Sequence, residues 1–195
     1  MIAGHFGLAA AVKSRAPKTP LWALMLATVW LDIVFVPLLL SGVERIETIP
    51  GGTAGAFGQV IIHADWTHSL IGALVLSAIF GAAGIWAWGR NAGLVLGAVS
   101  FSHWLLDLVT HRADMPVLPA NWGDLPLLGF GLWASPWLEL ALEAAIVLAG
   151  AFLYWGTALA VSTGAGEGRT RPLVVAALIA LGGLAILAFQ ATTVV

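Results

Sequence analysis

Long apolar segments alternate along this chain with short segments that carry proline, glycine or charge. A helix needs about 20 apolar residues to cross the hydrocarbon core of a bilayer, which is about 30 Å thick. The segments that reach about this length are Leu21 to Leu40, Ser69 to Trp88, Ala92 to Thr110, Trp137 to Val161, and Pro172 to about Thr192. The hydrophobic pattern therefore predicts five membrane-spanning helices.

The segments between these spans predict shorter elements. Residues 2–13 are mostly apolar but too short to span, so they predict a half-inserted or re-entrant helix that carries His5. In the loop between the first two spans, Ala54 to Ile62 predict a short interfacial helix, and Thr67 is a candidate N-cap. Residues 112–136 are rich in proline and glycine, so we expect an irregular cap over the outer mouth of the bundle.

The composition indicates the class of protein. Hydrophobic residues make up 60% of the 195 residues and charged residues 9%, whereas ordinary globular domains carry about 25% charged residues. We therefore expect an all-α, polytopic membrane helical bundle in which residues 1–195 form a single integral membrane domain.

Charge and cysteine content narrow the function further. The net charge of −2, without a basic block, argues against nucleic-acid binding. The chain has no cysteine, which excludes disulfides, thiolate metal sites and cysteine nucleophiles. No basic segment precedes the first apolar run, so we expect no cleaved signal peptide.

Lysine and arginine predict the orientation of the bundle, because they concentrate on the cytoplasmic side of membrane proteins. If the segment before Leu21 faces the cytoplasm, six of the eight basic residues lie on that side. They are Lys13, Arg15, Lys18, Arg90, Arg169 and Arg171. The bias predicts a multi-pass protein of the plasma (inner) membrane, with most acidic residues and histidines toward the outer side.

His103 and Asp107 are four residues apart in the third predicted span, so their side chains share one face of the helix. His111 follows one turn further along nearly the same stripe. An imidazole and a carboxylate in this arrangement can bind a divalent metal or relay protons. A charged group in the hydrocarbon core costs about 2.5 kcal/mol or more, which favours a functional role. The alternative is a buried hydrogen-bonded pair that holds two helices together.

Asp32 and His103 each lie eleven residues into spans that begin on the cytoplasmic side, which puts both about 16 Å deep. Asp107 lies about 6 Å further out. Two helices thus bring polar side chains to one level, and Asp32 becomes a candidate third ligand. His68 is less well matched in depth to His103. Along a straight helix it lies about 30 Å from Trp88, which is nearer the level of His111 than that of His103. A tilt or bend of the second span would have to bring it to His103.

Further candidate residues each have a structural alternative. His63 and Asp65 precede His68 and could take part in the site, or could belong to a polar helix start. Glu143 lies near the start of the fourth span and could act as a ligand or general base, or could complement the helix dipole. His5 could be a ligand or an interfacial histidine.

Several of these residues, in this order, resemble the pattern of a family of bacterial and archaeal inner-membrane proteins. The family is the YdjM-like (LexA-binding, inner membrane-associated) group of metal-dependent hydrolases. The matching elements are Gly4-His5, Asp32, His63, Thr67-His68-Ser69-Leu70, and Ser102-His103 with Asp107 and Thr110. They cover roughly the first 115 residues. The family is distantly similar to zinc-dependent phospholipase C and P1-type nucleases, so the resemblance implies a phosphoester-cleaving or lipid-directed hydrolase.

The chain also departs from the family pattern at two places. The family's Pro-Asp-Ile-Asp-His in the first span is Leu31-Asp32-Ile33-Val34-Phe35 here, so a second carboxylate is missing. The family's His-Arg-Gly is His63-Ala64-Asp65 in this chain. The sequence therefore favours one metal ion over several, unless Asp65 or Glu143 supplies a ligand.

The leading hypothesis is a membrane-embedded hydrolase whose metal ion activates water for cleavage of a phosphoester or lipid substrate. Nitrogen and oxygen ligands without thiolate suit zinc, with manganese as the alternative. The candidate metal ligands are His5, Asp32, His63, His68, His103 and Asp107, and the candidate catalytic residues are Glu143 and Asp65.

Two other hypotheses stay open at this point. A small transporter or channel could pass protons or metal ions along the same side chains. A protein without catalytic activity could use its buried polar groups only to fix the helix packing. The chain has no Gly-x-Ser-x-Gly motif, which argues against a serine hydrolase.

Overall fold

The computed structural model describes residues 1–52 and 59–192. Most of the described chain is α-helical, and we number the helices in chain order. They are α1 (Ile2–Arg15), α2 (Leu21–Thr28), α3 (Trp30–Leu40), α4 (Leu70–Trp88), α5 (Arg90–Thr110), α6 (Pro136–Gly164) and α7 (Thr170–Ala191). The other elements are strands β1 (Arg45–Thr48) and β2 (Val60–His63) and the short 3-10 turns Pro119–Asn121 and Leu132–Ala134.

Four helices, α4 to α7, are long and apolar enough to cross a membrane. The bent pair of α2 and α3 makes a fifth span if it is counted as one. The predicted helical bundle is confirmed at this level, while its insertion into a membrane stays a prediction. The chain also contains a small β-sheet, which the sequence does not predict. It is therefore mostly helical rather than all-α.

The first predicted span is broken at Val29, where α2 and α3 meet at 47°. Val29 has non-helical dihedral angles (φ −118°, ψ 12°), and the Thr28 hydroxyl donates to the carbonyl of Met25 (2.8 Å). In a continuous helix the carbonyl of Thr28 would accept from the N–H of Asp32. The break frees this carbonyl for a side chain of another helix, as described below.

The loop after α3 contains an antiparallel hairpin, in which Arg45 pairs with His63 and Thr48 with Val60. The interfacial helix predicted from Ala54 to Ile62 is therefore wrong for residues 60–62, and residues 53–58 lie outside the described chain. Val60, Ile61 and Ile62 are β-branched, and such residues favour an extended backbone that packs on a half-buried surface. The hairpin lies against the candidate site, because Ile62 lines the cavity next to it.

The N-terminal helix α1 packs against other helices of the bundle, while its half-inserted or re-entrant position in a membrane stays a prediction. It contacts α2, α6 and α7. Its buried residues include Ala3, Gly4, Gly7 and Ala10, and small residues let helix backbones approach closely. At the crossing with α6, a methyl group on Gly150 would overlap the carbonyl oxygen of Gly7. This close crossing carries His5 into the interior.

The segment between α5 and α6 is irregular, as its proline and glycine content predicts, and it covers the same end of α4 and α5. Its backbone bonds the first turn of α4, through Leu70 N–H to Pro116 O (3.0 Å), and the end of α5, through Phe130 N–H to Leu108 O (2.8 Å). Ser69, rather than the predicted Thr67, is the N-cap of α4, and its hydroxyl accepts from the N–H of Gly72.

Candidate metal centre

Four side chains from three parts of the chain point their polar atoms at one another. The His68 and His103 Nε2 atoms are 3.1 Å apart, and each lies 3.5 Å from Asp32 Oδ1. Asp107 Oδ2 lies 2.9 Å from His103 Nε2 and 3.6 Å from His68 Nε2. The first turn of α3 supplies Asp32, the turn before α4 supplies His68, and the second half of α5 supplies His103 and Asp107.

These separations are close to the distance between two ligand atoms that share one metal ion. Ligand atoms held about 2.0–2.1 Å from a zinc ion lie about 3.3 Å from one another in tetrahedral geometry. The five edges given above range from 2.9 to 3.6 Å. The ligand atoms of Asp32, His68 and His103 could therefore hold a metal ion, and so could those of His5, His103 and Asp107.

His5 extends the group on the far side of Asp107. Its Nε2 atom lies 3.2 Å from Asp107 Oδ1, the oxygen that does not face His68. Its ring also stacks on that of His103, with centroids 4.0 Å apart and 16° between the planes. His5 thus holds the carboxylate and the imidazole of α5 in place and offers a further ligand atom to the same buried group.

The tautomer of His103 follows from its partner in α2. His103 Nδ1 lies 2.6 Å from the carbonyl oxygen of Thr28, which only accepts hydrogen bonds, so Nδ1 carries the hydrogen. In the neutral imidazole the lone pair is then on Nε2, which faces the centre. Histidine ligands of metals usually donate their other ring N–H to a carbonyl or carboxylate in this way.

The tautomer of His68 is fixed through two further residues. The Thr67 hydroxyl lies 3.0 and 3.1 Å from the two carboxylate oxygens of Glu44 and 2.8 Å from His68 Nδ1. Because the carboxylate accepts, the hydroxyl donates to Glu44 and accepts from His68 Nδ1–H. The lone pair of His68 is then also on Nε2. Glu44 is 1% exposed and accepts from the backbone N–H groups of Trp66 (3.0 Å) and Thr67 (2.8 Å) as well.

The turn before α4 explains why His68 reaches the centre despite its predicted depth. His68 N–H bonds the carbonyl of Ala64 (3.0 Å), and the Trp104 indole donates to the carbonyl of His68 (2.8 Å). Residues 65–69 therefore form turns and bends rather than the first turn of a straight helix. Counting 1.5 Å per residue from Trp88 overestimates how far His68 lies from Trp88, because His68 precedes the helix.

A cavity of about 310 Å³ lies beside the group. His5, Asp32, His68, Asp107 and His111 face it. Its apolar walls are Phe35 and Val36 of α3, Ile46 and Ile62 of the hairpin, the N-terminal residues Met1 and Ile2, and Trp133. The Asp32 side chain keeps 43% of its surface exposed, whereas the other four are buried. Asp32 is therefore the member of the group that an incoming molecule meets.

His111 and Asp114 form a second pair on the cavity wall. His111 Nδ1 lies 2.9 Å from Asp114 Oδ1, and the other carboxylate oxygen accepts from the N–H of Ile62 (3.3 Å). The His111 ring packs against Trp133 at 4.1 Å and lies 6.4 Å from the ring of His68. The four-residue spacing of His111 from Asp107 indicates in the sequence that His111 lies near the site. No such spacing indicates Asp114, because it follows the end of α5.

Three other predicted site residues lie elsewhere, and within the described chain none of them belongs to a potential metal-binding group. His63 is in β2, with Nε2 3.4 Å from Glu47 Oε2, because strand pairing turns it away from His68. Asp65 lies in the turn before α4, where its carbonyl accepts from the N–H of Ala120. Glu143 is fully buried between α1 and α6, and its Oε2 accepts from the N–H of Gly4 (2.8 Å).

The hairpin contains an exposed charge pair besides His63. Arg45 Nε donates to Glu47 Oε1 across 2.7 Å, and this hydrogen bond lowers the pKa of the Glu47 carboxyl. Both side chains are more than half exposed, so the pair contributes little to stability. Ile62 lines the cavity, whereas His63 in the same strand belongs to neither group of described residues that could hold a metal ion. This strand is therefore a wall of the site and supplies no candidate ligand.

The fold and the site together define a mostly helical protein with a buried His/Asp group that could hold a metal ion. No family model, no curated protein and no solved structure matches the chain. The resemblance to the YdjM-like hydrolases therefore stays a prediction from the residues that carry it.

Proposed function

We propose that this protein is a membrane-embedded, metal-dependent hydrolase that cleaves a phosphoester bond in a lipid substrate. The observation that carries the proposal is the arrangement of His68 and His103. Both imidazoles are held with Nδ1–H outward, and their Nε2 atoms are 3.1 Å apart with two carboxylate oxygens beside them. In the neutral state two facing lone pairs repel each other, and a shared cation removes that repulsion.

The ligand chemistry favours zinc, with manganese as the alternative. Imidazole nitrogen and carboxylate oxygen atoms suit zinc, and the absence of cysteine from the sequence excludes a thiolate site. We propose His68, His103 and Asp107 as the buried ligands, with His5 as support for Asp107. A zinc ion held by these residues would supply Lewis acidity and would make hydroxide available near neutral pH.

Two side chains of the cavity wall are candidates for the catalytic role. Asp32 is the exposed member of the group, so its carboxylate can either complete the ligand set or accept a hydrogen bond from an incoming water. His111, oriented by Asp114, faces the same cavity and can exchange a proton with a bound substrate. We propose these two side chains for the catalytic role, in preference to Glu143 and Asp65, which sequence spacing suggests, since the cavity lining includes neither of the latter.

The cavity walls support a substrate with an apolar part. Phe35, Val36, Ile46 and Ile62 give the cavity an apolar surface that suits an alkyl chain, while its polar lining with a bound metal ion would suit a phosphate group. A lipid phosphoester presents both features in one molecule. The apolar helices α4 to α7 would place the site within reach of such a substrate in a bilayer.

The packing below the site argues against a path for transport. A buried apolar cluster of Ala23, Leu24, Ala27, Leu96 and Val99 lies between the His/Asp group and the first residues of α2 and α5. A route for protons or metal ions would need polar groups that continue through this layer. The one-sided cavity fits an enzyme better than a channel.

Metal analysis of the purified protein tests the proposal directly. We expect about one zinc or manganese ion per chain, and hydrolysis of a phospholipid or of p-nitrophenyl phosphate that is lost with a chelator and restored with the metal. A preparation that keeps its fold but cannot be loaded with either metal would overturn the proposal. Metal uptake into liposomes that depends on Asp107 would favour the transporter instead.

A further inference from the structure

A basic cleft lies at the opposite end of the bundle from the candidate metal centre. It has a volume of about 590 Å³ and lies between the α1–α2 connection and the α4–α5 connection. Arg15 and Lys18 line it from the first connection, and Trp88 and Arg90 from the second. Arg90 precedes His103 by thirteen residues of one helix, which separates the cleft from the metal centre by about 20 Å.

The cleft carries uncompensated positive charge. Arg15, Lys18 and Arg90 are exposed, and among the residues that the structure describes none of the three forms an ion pair. The lining residues include no aspartate or glutamate. Three cations from two separate connections thus face one space, and such an arrangement attracts an anion.

Both connections are held in place, so the cations do not depend on a flexible loop. Lys13 Nζ donates to the carbonyls of Pro17 and Thr19, each at 2.7 Å, and this closes the turn that bears Lys18. Between α4 and α5 the connection is Gly89 alone, with a φ of +84° that favours glycine.

Aromatic and apolar surface adjoins the charge. The Trp88 ring packs edge-on against Trp22 with centroids 5.4 Å apart, and both side chains are exposed. Tryptophan favours the headgroup level of a bilayer. Val95 of α5 extends the cleft wall along the apolar helix. A ligand that fits this cleft therefore has a negatively charged head and an apolar tail.

We propose that this cleft is a binding site for the phosphate headgroup of an anionic phospholipid. The general preference of lysine and arginine for the cytoplasmic side does not account for it, because that preference constrains only the number of basic residues on that side. A second cleft on this side of the bundle differs, because its lining includes the carboxylate of Glu167 beside Lys13 and Arg171. The cleft at Arg15, Lys18 and Arg90 has no acidic residue in its lining.

The test compares two double variants that remove the same charge. The full chain in detergent is titrated with phosphatidylglycerol and with phosphatidylcholine, and bound lipid is counted by native mass spectrometry. We expect at least about tenfold tighter binding of phosphatidylglycerol, an advantage that Arg15→Gln with Arg90→Gln removes and Arg169→Gln with Arg171→Gln keeps. Equal losses in both double variants, or no preference for phosphatidylglycerol in the unchanged protein, would overturn the proposal.

A competition arm separates a lipid from a free anion. Inorganic phosphate at the lipid's own concentration should leave the bound phosphatidylglycerol unchanged, because it lacks the tail that packs beside Trp88 and Val95. Displacement at equal concentration would assign the cleft to a soluble phosphate instead and overturn the lipid assignment. Metal content should be the same in all variants, so this result is independent of the proposed hydrolase.

Discussion

The Nδ1 atom of His103 donates a hydrogen bond to the carbonyl oxygen of Thr28 across 2.6 Å, and the break at Val29 makes that carbonyl available. A structural irregularity in one helix thus fixes the tautomer of a histidine in another. The same break turns α3 by 47°, and Asp32, two residues into α3, comes within 3.5 Å of His103 Nε2. Broken helices in membrane proteins commonly mark sites in this way, because freed backbone groups need new partners.

Replacement of His103 by alanine should abolish metal binding. The substitution removes a nitrogen that lies within 3.5 Å of atoms of His68, Asp32 and Asp107. His103 belongs to both groups that could hold a metal ion, so neither group stays complete. We expect metal content, measured by plasma mass spectrometry, to fall at least about tenfold relative to the unchanged protein.

His63→Ala is the matched control, since His63 faces Glu47 in the hairpin and should keep the full metal content. If His103→Ala lowers thermal stability but leaves metal content unchanged, the His/Asp group only fixes helix packing. Equal loss of metal in both variants would instead point to a site that includes the hairpin.

The helical architecture could be predicted because its signal is local. Runs of apolar residues between glycine, proline and charge gave the ends of α4 and α5 to within one or two residues, at Leu70–Trp88 and Arg90–Thr110. The hairpin could not be predicted, because pairing of Arg45 with His63 joins segments 18 residues apart and leaves no periodicity in either. The position of α1 depends on close packing with α6, which no single helix encodes.

The site was predictable where spacing along one helix or equal depth in two helices determines distance. His103, Asp107 and Asp32 follow these rules, and the structure brings them together. Glu44 does not, because its carboxylate reaches His68 only through Thr67, from a loop whose path is set by the hairpin. Its only signal in the sequence is an acidic residue next to an apolar span.

The Thr67 hydroxyl should set the metal affinity without touching the metal. Thr67→Val keeps the size of the side chain but leaves His68 Nδ1–H and the buried Glu44 carboxylate without their shared partner. We expect the dissociation constant for zinc, measured by competition with a chromogenic chelator, to rise about 10–100-fold.

Thr67→Ser restores the hydroxyl and should restore the affinity to within about threefold of the unchanged protein. A purely structural role of Thr67 would instead lower the melting temperature of the metal-free protein and leave the zinc affinity intact. That pattern would remove the Glu44–Thr67–His68 chain from the site.

The His111–Asp114 pair should affect turnover rather than metal content. Asp114→Asn weakens the hydrogen bond that orients His111 Nδ1, and His111→Ala removes the ring from the cavity wall. Loss of a positioned proton donor or acceptor lowers catalytic rates by about 10²–10⁴-fold. We expect kcat for p-nitrophenyl phosphate to fall in this range for His111→Ala, with zinc content unchanged. A fall in zinc content would make His111 a ligand, and unchanged kcat would exclude it from catalysis.

Gly150 should be intolerant of any side chain, because α1 and α6 cross there in backbone contact. A methyl group would overlap the carbonyl of Gly7, and a Cβ on Gly7 would lie 2.7 Å from the backbone of Val147. Overpacking of this kind costs about 1–3 kcal/mol or more, so Gly150→Ala should lower the melting temperature by several degrees. Gly156→Ala, in the same helix with open space around it, is the control and should change stability by no more than about 1 kcal/mol. Because α1 carries His5 against Asp107, we also expect Gly150→Ala to weaken zinc binding, and equal stabilities of the two variants would contradict the close crossing.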